Sequence, residues 1–123
     1  MKLLSAVPAV PDLRAALRDL AVASDGKAHR TYAVLGTVPG ASREELMDLG
    51  RFLVRLDITS LVVVGDAGPV HAGAVLEGSW GAESRHLPSE QDALALLRAE
   101  LADDDVVLVA GLPAVLTALG GAA

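Results

Sequence analysis

Three apolar runs constrain this chain more than any other feature: Tyr32-Ala33-Val34-Leu35, Leu61-Val62-Val63-Val64 and Val106-Val107-Leu108-Val109. None of them alternates polar with apolar. A strand with one wet face reads with a period of two, so an unbroken β-branched run belongs to a strand covered on both faces. Strands of that kind form the centre of a parallel sheet with helices above and below. Each run ends at a glycine: Gly36, Gly65 and, after Ala110, Gly111. Leu3-Leu4 and Arg85-His86-Leu87 are weaker candidates and suit outer strands of the same sheet.

Helical patterns fill the intervals. Leu13, Ala16, Leu17 and Leu20 follow the spacing i, i+3, i+4, i+7, opened by Pro11 and Asp12 and closed near Gly26. Ser42 with Glu45 forms a capping box that starts a helix with Leu46, Leu49, Leu53 and Leu56 on one face. Ser89 with Asp92 opens another, carrying Leu94, Leu97 and Leu101. Shorter helices are expected over 70–76 and 113–119. This alternation predicts an α/β fold: a single open, three-layer, Rossmann-like and mostly parallel sheet with helices on both faces. With 123 residues, one domain over 1–123 is expected. Glu77-Gly78-Ser79-Trp80-Gly81 reads as a loop whose Trp80 packs over a sheet edge or serves as a recognition handle.

Composition excludes several kinds of function. The 52% hydrophobic content supports a core, and with one Trp, one Tyr and one Phe that core must be aliphatic. Without cysteine there is no disulfide, thiolate catalysis or Cys-based zinc site. His29, His71 and His86 are dispersed and form no i, i+4 metal motif, so no metal site is expected. The net charge of −6 and scarcity of aromatics argue against a phosphate-tracking surface or a base-stacking platform, and no nucleic-acid partner is expected. Met1 to Ala9 imitates a signal peptide only weakly, being short, broken by Pro8 and carrying a single lysine. No apolar stretch reaches the roughly 18 residues that a membrane helix needs, so a cytoplasmic chain is expected.

Ligands of open α/β sheets sit outside the carboxyl ends of the strands. The cleft candidates there are Gly36, Thr37, Gly65, Asp66, His71 and Gly111. Glycine at such an end admits a sharp turn and close backbone approach, though it also ends a strand with no ligand in view. Asp66 and His71 would form an acid/base or binding pair. Alternatively Asp66 caps the next helix and His71 is an exposed loop residue. Gly65-Asp66-Ala67-Gly68 is not a dinucleotide fingerprint, and no G-x-x-x-x-G-K-[ST] occurs. Ser5, Ser24, Ser60 and Ser79 lack a nucleophile elbow. A receiver domain would want a lysine after its last strand, where this chain has Ala110.

The order of motifs resembles the C-terminal domain of the Mur ligases, most closely that of the D-alanyl-D-alanine-adding members. Pro11-Asp12-Leu13-Arg14-Ala15-Ala16-Leu17 is similar to the first helix of that domain, which reads much like "SMRAAL". Tyr32 to Gly36 is similar to its "AVLGDM" strand, and Gly50-Arg51 to Ile58 to the helix of "VGRxAAxLGID". Leu61 to Gly65 looks like "LVAVG", and Asp104 to Gly111 like "GDVVLVKGS". The likeness covers roughly residues 3–120.

The resemblance implies an α/β domain that closes over ATP and the incoming peptide in a cytoplasmic enzyme of peptidoglycan-precursor synthesis. In that family the phosphate loop, magnesium and carbamoylated lysine belong to the central domain, and the UDP-sugar is held mainly by the N-terminal one. Neither is read in these 123 residues. The chain is therefore expected to have no catalytic residues or cofactor of its own, with ATP and magnesium entering only through the resemblance. It also departs from the family pattern. The polar Asp-x-Asn-x-Asn turn is matched by Ser5, Val7 and Ala9, Gly-Asp-Met by Gly36-Thr37-Val38, and Lys-Gly-Ser-Arg by Ala110-Gly111-Leu112-Pro113. A charged ligand is costly to hold where its counter-charges are apolar.

The expected function is a non-catalytic binding or partner module. Its partners would be another protein or a small ligand at the strand ends. A small autonomous enzyme using Asp66, His71 and Thr37 is the alternative. A homo-oligomer is another, with apolar Val38, Leu112 and Pro113 at the cleft rim as the buried interface.

Overall fold

Five strands pair side by side in the order β1-β5-β2-β3-β4, every pair parallel. The computed structural model describes residues 1–78 and 83–121. The strands are β1 (Lys2–Ala6), β2 (Thr31–Leu35), β3 (Ser60–Val64), β4 (Ser84–Leu87) and β5 (Val106–Ala110). The helices are α1 (Val10–Ala23), α2 (Arg43–Arg55), α3 (Gly68–Glu77), α4 (Glu90–Glu100) and α5 (Pro113–Ala118), with a 3-10 turn at Gly65–Ala67. Every residue of β2, β3 and β5 is buried, as their unbroken apolar runs require. The two weaker candidates form the edge strands.

Strand order explains which face each helix covers. The steps from β1 to β2, β3 and β4 all advance in one direction across the sheet, so right-handed crossovers put α1, α2 and α3 on one face. The return from β4 to β5 runs the other way and puts α4 on the opposite face. Packing agrees. Leu13, Leu17 and Leu20 of α1, Leu49 and Leu53 of α2 and Val70 of α3 meet Ala33, Leu35, Leu61, Val63 and Leu108. Ala93 and Leu97 of α4 and Val115 of α5 meet Tyr32, Val34, Val62, Val107 and Val109. The largest fully buried side chains are all Leu, Ile or Val. Each such leucine contributes about 1.5–3 kcal/mol of transfer free energy.

Local signals set the helix starts. Ser42 Oγ accepts from the Glu45 N–H at 3.1 Å while Glu45 Oε1 accepts from the Ser42 N–H at 2.9 Å, a complete capping box. Ser89 Oγ accepts from the Asp92 N–H at 3.2 Å. Helix α1 ends at Ala23, short of Gly26, because Asp25, Gly26 and Lys27 all take positive φ. Helix α3 starts at Gly68, two residues before the expected 70, with Pro69 in its first turn, where a missing N–H costs nothing.

One packing contact has no signature in the sequence. A Cβ on Gly50 of α2 would stand 2.0 Å from the Val70 carbonyl oxygen, and one on Gly73 of α3 would stand 1.9 Å from that of Met47. Helices α2 and α3 therefore touch backbone to backbone, and only glycine fits. Trp80 lies outside the described residues.

Candidate functional site

At the carboxyl edge the turns after β2 and β5 close on each other. The Gly36 N–H donates to the Ala110 carbonyl at 2.9 Å, extending the β2–β5 ladder by one rung. Gly111 turns the chain with φ +71°, and a Cβ there would lie 2.6 Å from the Thr37 carbonyl oxygen. Beside them, exposed Thr37 donates its hydroxyl to Asp66 Oδ1 at 2.7 Å, tying the end of β2 to the end of β3. Asp66 thus uses its carboxylate on Thr37. Helix α3 begins from Ala67 with no side-chain cap, so Asp66 does not cap it.

His71 is not a loop residue. It sits half-buried on α3, with Nδ1 2.6 Å from Oγ of buried Ser84. Burial pushes its pKa down, and the neighbouring His86 ring, 6.3 Å away, adds to the effect. His86 Nε2 lies 2.6 Å from the Gly65 carbonyl oxygen. A carbonyl only accepts, so that nitrogen carries the proton. The fold therefore brings together Gly36 with Gly111 and Thr37 with Asp66, and it links Gly65 to His86. Asp66 and His71 have different partners. His86 is not among the cleft candidates read from the sequence, although its place in the Arg85-His86-Leu87 run puts it near a strand's carboxyl end.

The rim expected to be apolar is built differently. Val38 is 7% exposed and Leu112 is 4% exposed, each inside one of the two cores. The backbone folds both side chains inward, Leu112 against Gly36, and only Pro113 of that trio is exposed. Two of the three apolar residues expected at a homo-oligomer interface thus belong to the cores. An apolar hollow of about 230 Å³ lies instead between the ends of β1 and β5, lined by Ala6, Pro8, Val109, Gly111, Pro113 and Leu116. The amides of Ala114 and Val115, in the first turn of α5, donate to Glu90 Oε2 at 2.9 and 3.1 Å.

The wider hollows, about 500 and 410 Å³, lie at the amino edge of the sheet. Ion pairs dominate there. Arg30 donates from Nε and a terminal nitrogen to the two oxygens of buried Asp105 at 3.0 and 2.7 Å, and the Ala102 N–H adds a third bond at 2.8 Å. Burial works against the Asp105 charge, yet Arg30 and Ala102 together hold its pKa below the ordinary value. Arg85 binds both oxygens of Glu100 and, with Tyr32, depresses that carboxyl too. These bonds tie α4 to β2 and β4, and fasten together the residues that lead into β2 and β5. Among the described residues, no group of three or more His, Asp or Glu side chains is arranged to hold a metal.

No protein-family model matches the chain. It is 40% identical, over 80% of its length, to the UDP-N-acetylmuramoyl-tripeptide–D-alanyl-D-alanine ligase of Mycobacterium leprae, of which it covers 22%. It is 42% identical, over 89% of its length, to the ligase of the same name from Mycobacterium tuberculosis, covering 26% of that protein. The chain spans about a quarter of the length of the curated relatives it matches. Among solved structures, MurF from Acinetobacter baumannii superposes with a TM-score of 0.65 and 19% identity, over 95% of this chain and 26% of that one, a likeness of fold. The chain is thus similar to one region of the ligase that carries the MurF name, as its motifs implied. No described helix is long and apolar enough to cross a membrane.

Proposed function

From this likeness to a quarter of a ligase, we propose that residues 1–123 form a Mur-ligase C-terminal-like domain of a cytoplasmic system related to peptidoglycan-precursor synthesis. By themselves they act as a binding or partner module and not as a catalyst. One observation carries this reading: at the carboxyl edge the scaffold is kept while its polar groups are turned on one another. Thr37 is bonded to Asp66, and Glu90 occupies the first amides of α5. The adjoining hollow is apolar.

The residues present do not suit an ATP–magnesium complex. Phosphoryl transfer depends on cations and amides aimed at the phosphates, with metal ions to spread the charge. Here the groups bonded at the strand ends include the carboxylates of Asp66 and Glu90, and the cationic Lys-Gly-Ser-Arg turn of the family is matched by Ala110-Gly111-Leu112-Pro113. No catalytic step is derived through the nucleotide. The partner proposed is the remainder of a Mur ligase, which would supply the phosphate loop and the UDP-sugar site.

The test is to mix the chain with the separately produced N-terminal and central domains of the Mycobacterium tuberculosis relative. Light scattering and ligase assays then report on the mixture. The reading expects a defined complex and no ligase turnover by the chain alone. Turnover of ATP by the purified chain would overturn it.

A further inference from the structure

We propose that the outer face of α1 and α2 is a docking surface for an acidic helix of a partner protein. Its centre is Phe52 on α2, with the Arg14 guanidinium 4.2 Å and the Arg18 guanidinium 5.2 Å from the ring centroid. Arg51 and Arg55 flank Phe52 on the same helix, and a hollow of about 280 Å³ is lined by Arg14, Asp48, Arg51, Phe52 and Arg55. In a chain of net charge −6, this face gathers four of its ten Lys and Arg residues.

The four arginines are not equivalent. Arg51 is bonded to Asp48 at 3.0 Å, and Arg55 to Glu77 at 3.0 and 3.4 Å. Among the described residues, neither Arg14 nor Arg18 has a carboxylate within salt-bridge distance. Both lie over the ring of Phe52. A guanidinium held over an aromatic ring is oriented in advance, and its edge N–H groups stay available for two parallel bonds to a carboxylate. Little side-chain freedom is then left to lose on binding.

Spacing and charge select the occupant. Arg14 and Arg18 stand four residues apart on α1, so their Cβ atoms are about 6 Å apart, the spacing of carboxylates four apart on a second helix. A helix of that kind can place its acids on Arg14 and Arg18 and leave Asp48 facing an uncharged side chain. A nucleic acid cannot, because its backbone carries a charge at every nucleotide and would run against Asp48 as well as the overall negative field. The surface shares no residue with the strand-end site, so it stands or falls separately from the function proposed above.

The experiment is an NMR titration of the chain at low salt, following the Arg14 and Arg18 Nε–H signals and the Phe52 ring. The probes are a helical peptide of Glu-Ala-Ala-Ala repeats, the same peptide with Lys for Glu, and a short DNA duplex. The expected result is saturable shifts at those three residues with the Glu peptide only, weakened about tenfold or more by Arg14→Glu with Arg18→Glu. If that variant does not fold, Arg14→Gln with Arg18→Gln removes the charge at similar size and is read in the same way. Shifts that do not saturate, that map elsewhere, or that the duplex reproduces at the same salt would overturn the proposal.

Discussion

Gly36 and Gly111 meet at the carboxyl ends of β2 and β5 so closely that a methyl group on Gly36 would stand 2.4 Å from the Gly111 carbonyl oxygen. The obstacle is backbone, and the Leu112 side chain lies just behind it at 2.5 Å. The carbonyl cannot retreat without moving the turn that follows β5, and the Leu112 side chain is itself packed in the core. Gly36→Ala is expected to lower stability by about 1–3 kcal/mol, read as a fall in the urea midpoint at unchanged slope. A neutral effect would mean the two turns are not in contact.

The α2–α3 contact predicts a second effect. Alanine stabilises an exposed helix position by about 1 kcal/mol relative to glycine. Gly73→Ala should do the reverse, because its methyl group would overlap the Met47 carbonyl at 1.9 Å. A net loss of about 2–3 kcal/mol is expected in thermal or chemical unfolding. Gly50→Ala, facing the Val70 carbonyl, should behave alike.

How much of this was legible in the sequence follows from the range of each interaction. The central strands were readable because burial on both faces leaves an unbroken apolar run, and the starts of α2 and α4 because a cap and its partner lie three residues apart. The Gly50–Gly73 contact was not, since a glycine inside a helix looks the same whether or not another backbone lies on it. The inward fold of Val38 and Leu112 is not legible either, because a residue following a strand gives no sign of which way its turn folds. Thr37–Asp66 and Glu90–Ala114 join residues 29 and 24 positions apart, and no local pattern encodes such pairs.

Asp105 and Glu100 predict the acid limb of stability. Both carboxyls titrate below their ordinary values in the folded chain, so between the unfolded and folded pKa values the unfolded chain binds more protons. Their contribution is present above the unfolded pKa values, near 4, and is lost as pH falls through the folded ones. Asp105→Asn should cost about 1.5–3 kcal/mol at neutral pH and flatten the fall below pH 4, measured by urea unfolding across pH. An unchanged acid limb would remove Asp105 from it.

His71 acts in a higher window. Its folded pKa is lowered, so the folded chain favours the neutral ring. Stability should hold above about pH 6.5, the unfolded value, and decline as pH falls from there to the folded value. Replacing His71 with Gln should remove that slope while leaving the limb due to Asp105 and Glu100 in place. A slope that survives the substitution would assign it to another group.

On the proposed function, the strand-end scaffold persists without nucleotide-binding capacity of its own. Isothermal calorimetry of residues 1–123 with ATP and magnesium, alone and with D-alanyl-D-alanine, is the deciding measurement. The prediction is no saturable heat up to millimolar ligand. A dissociation constant well below millimolar that Asp66→Asn or Gly111→Val alters would contradict it.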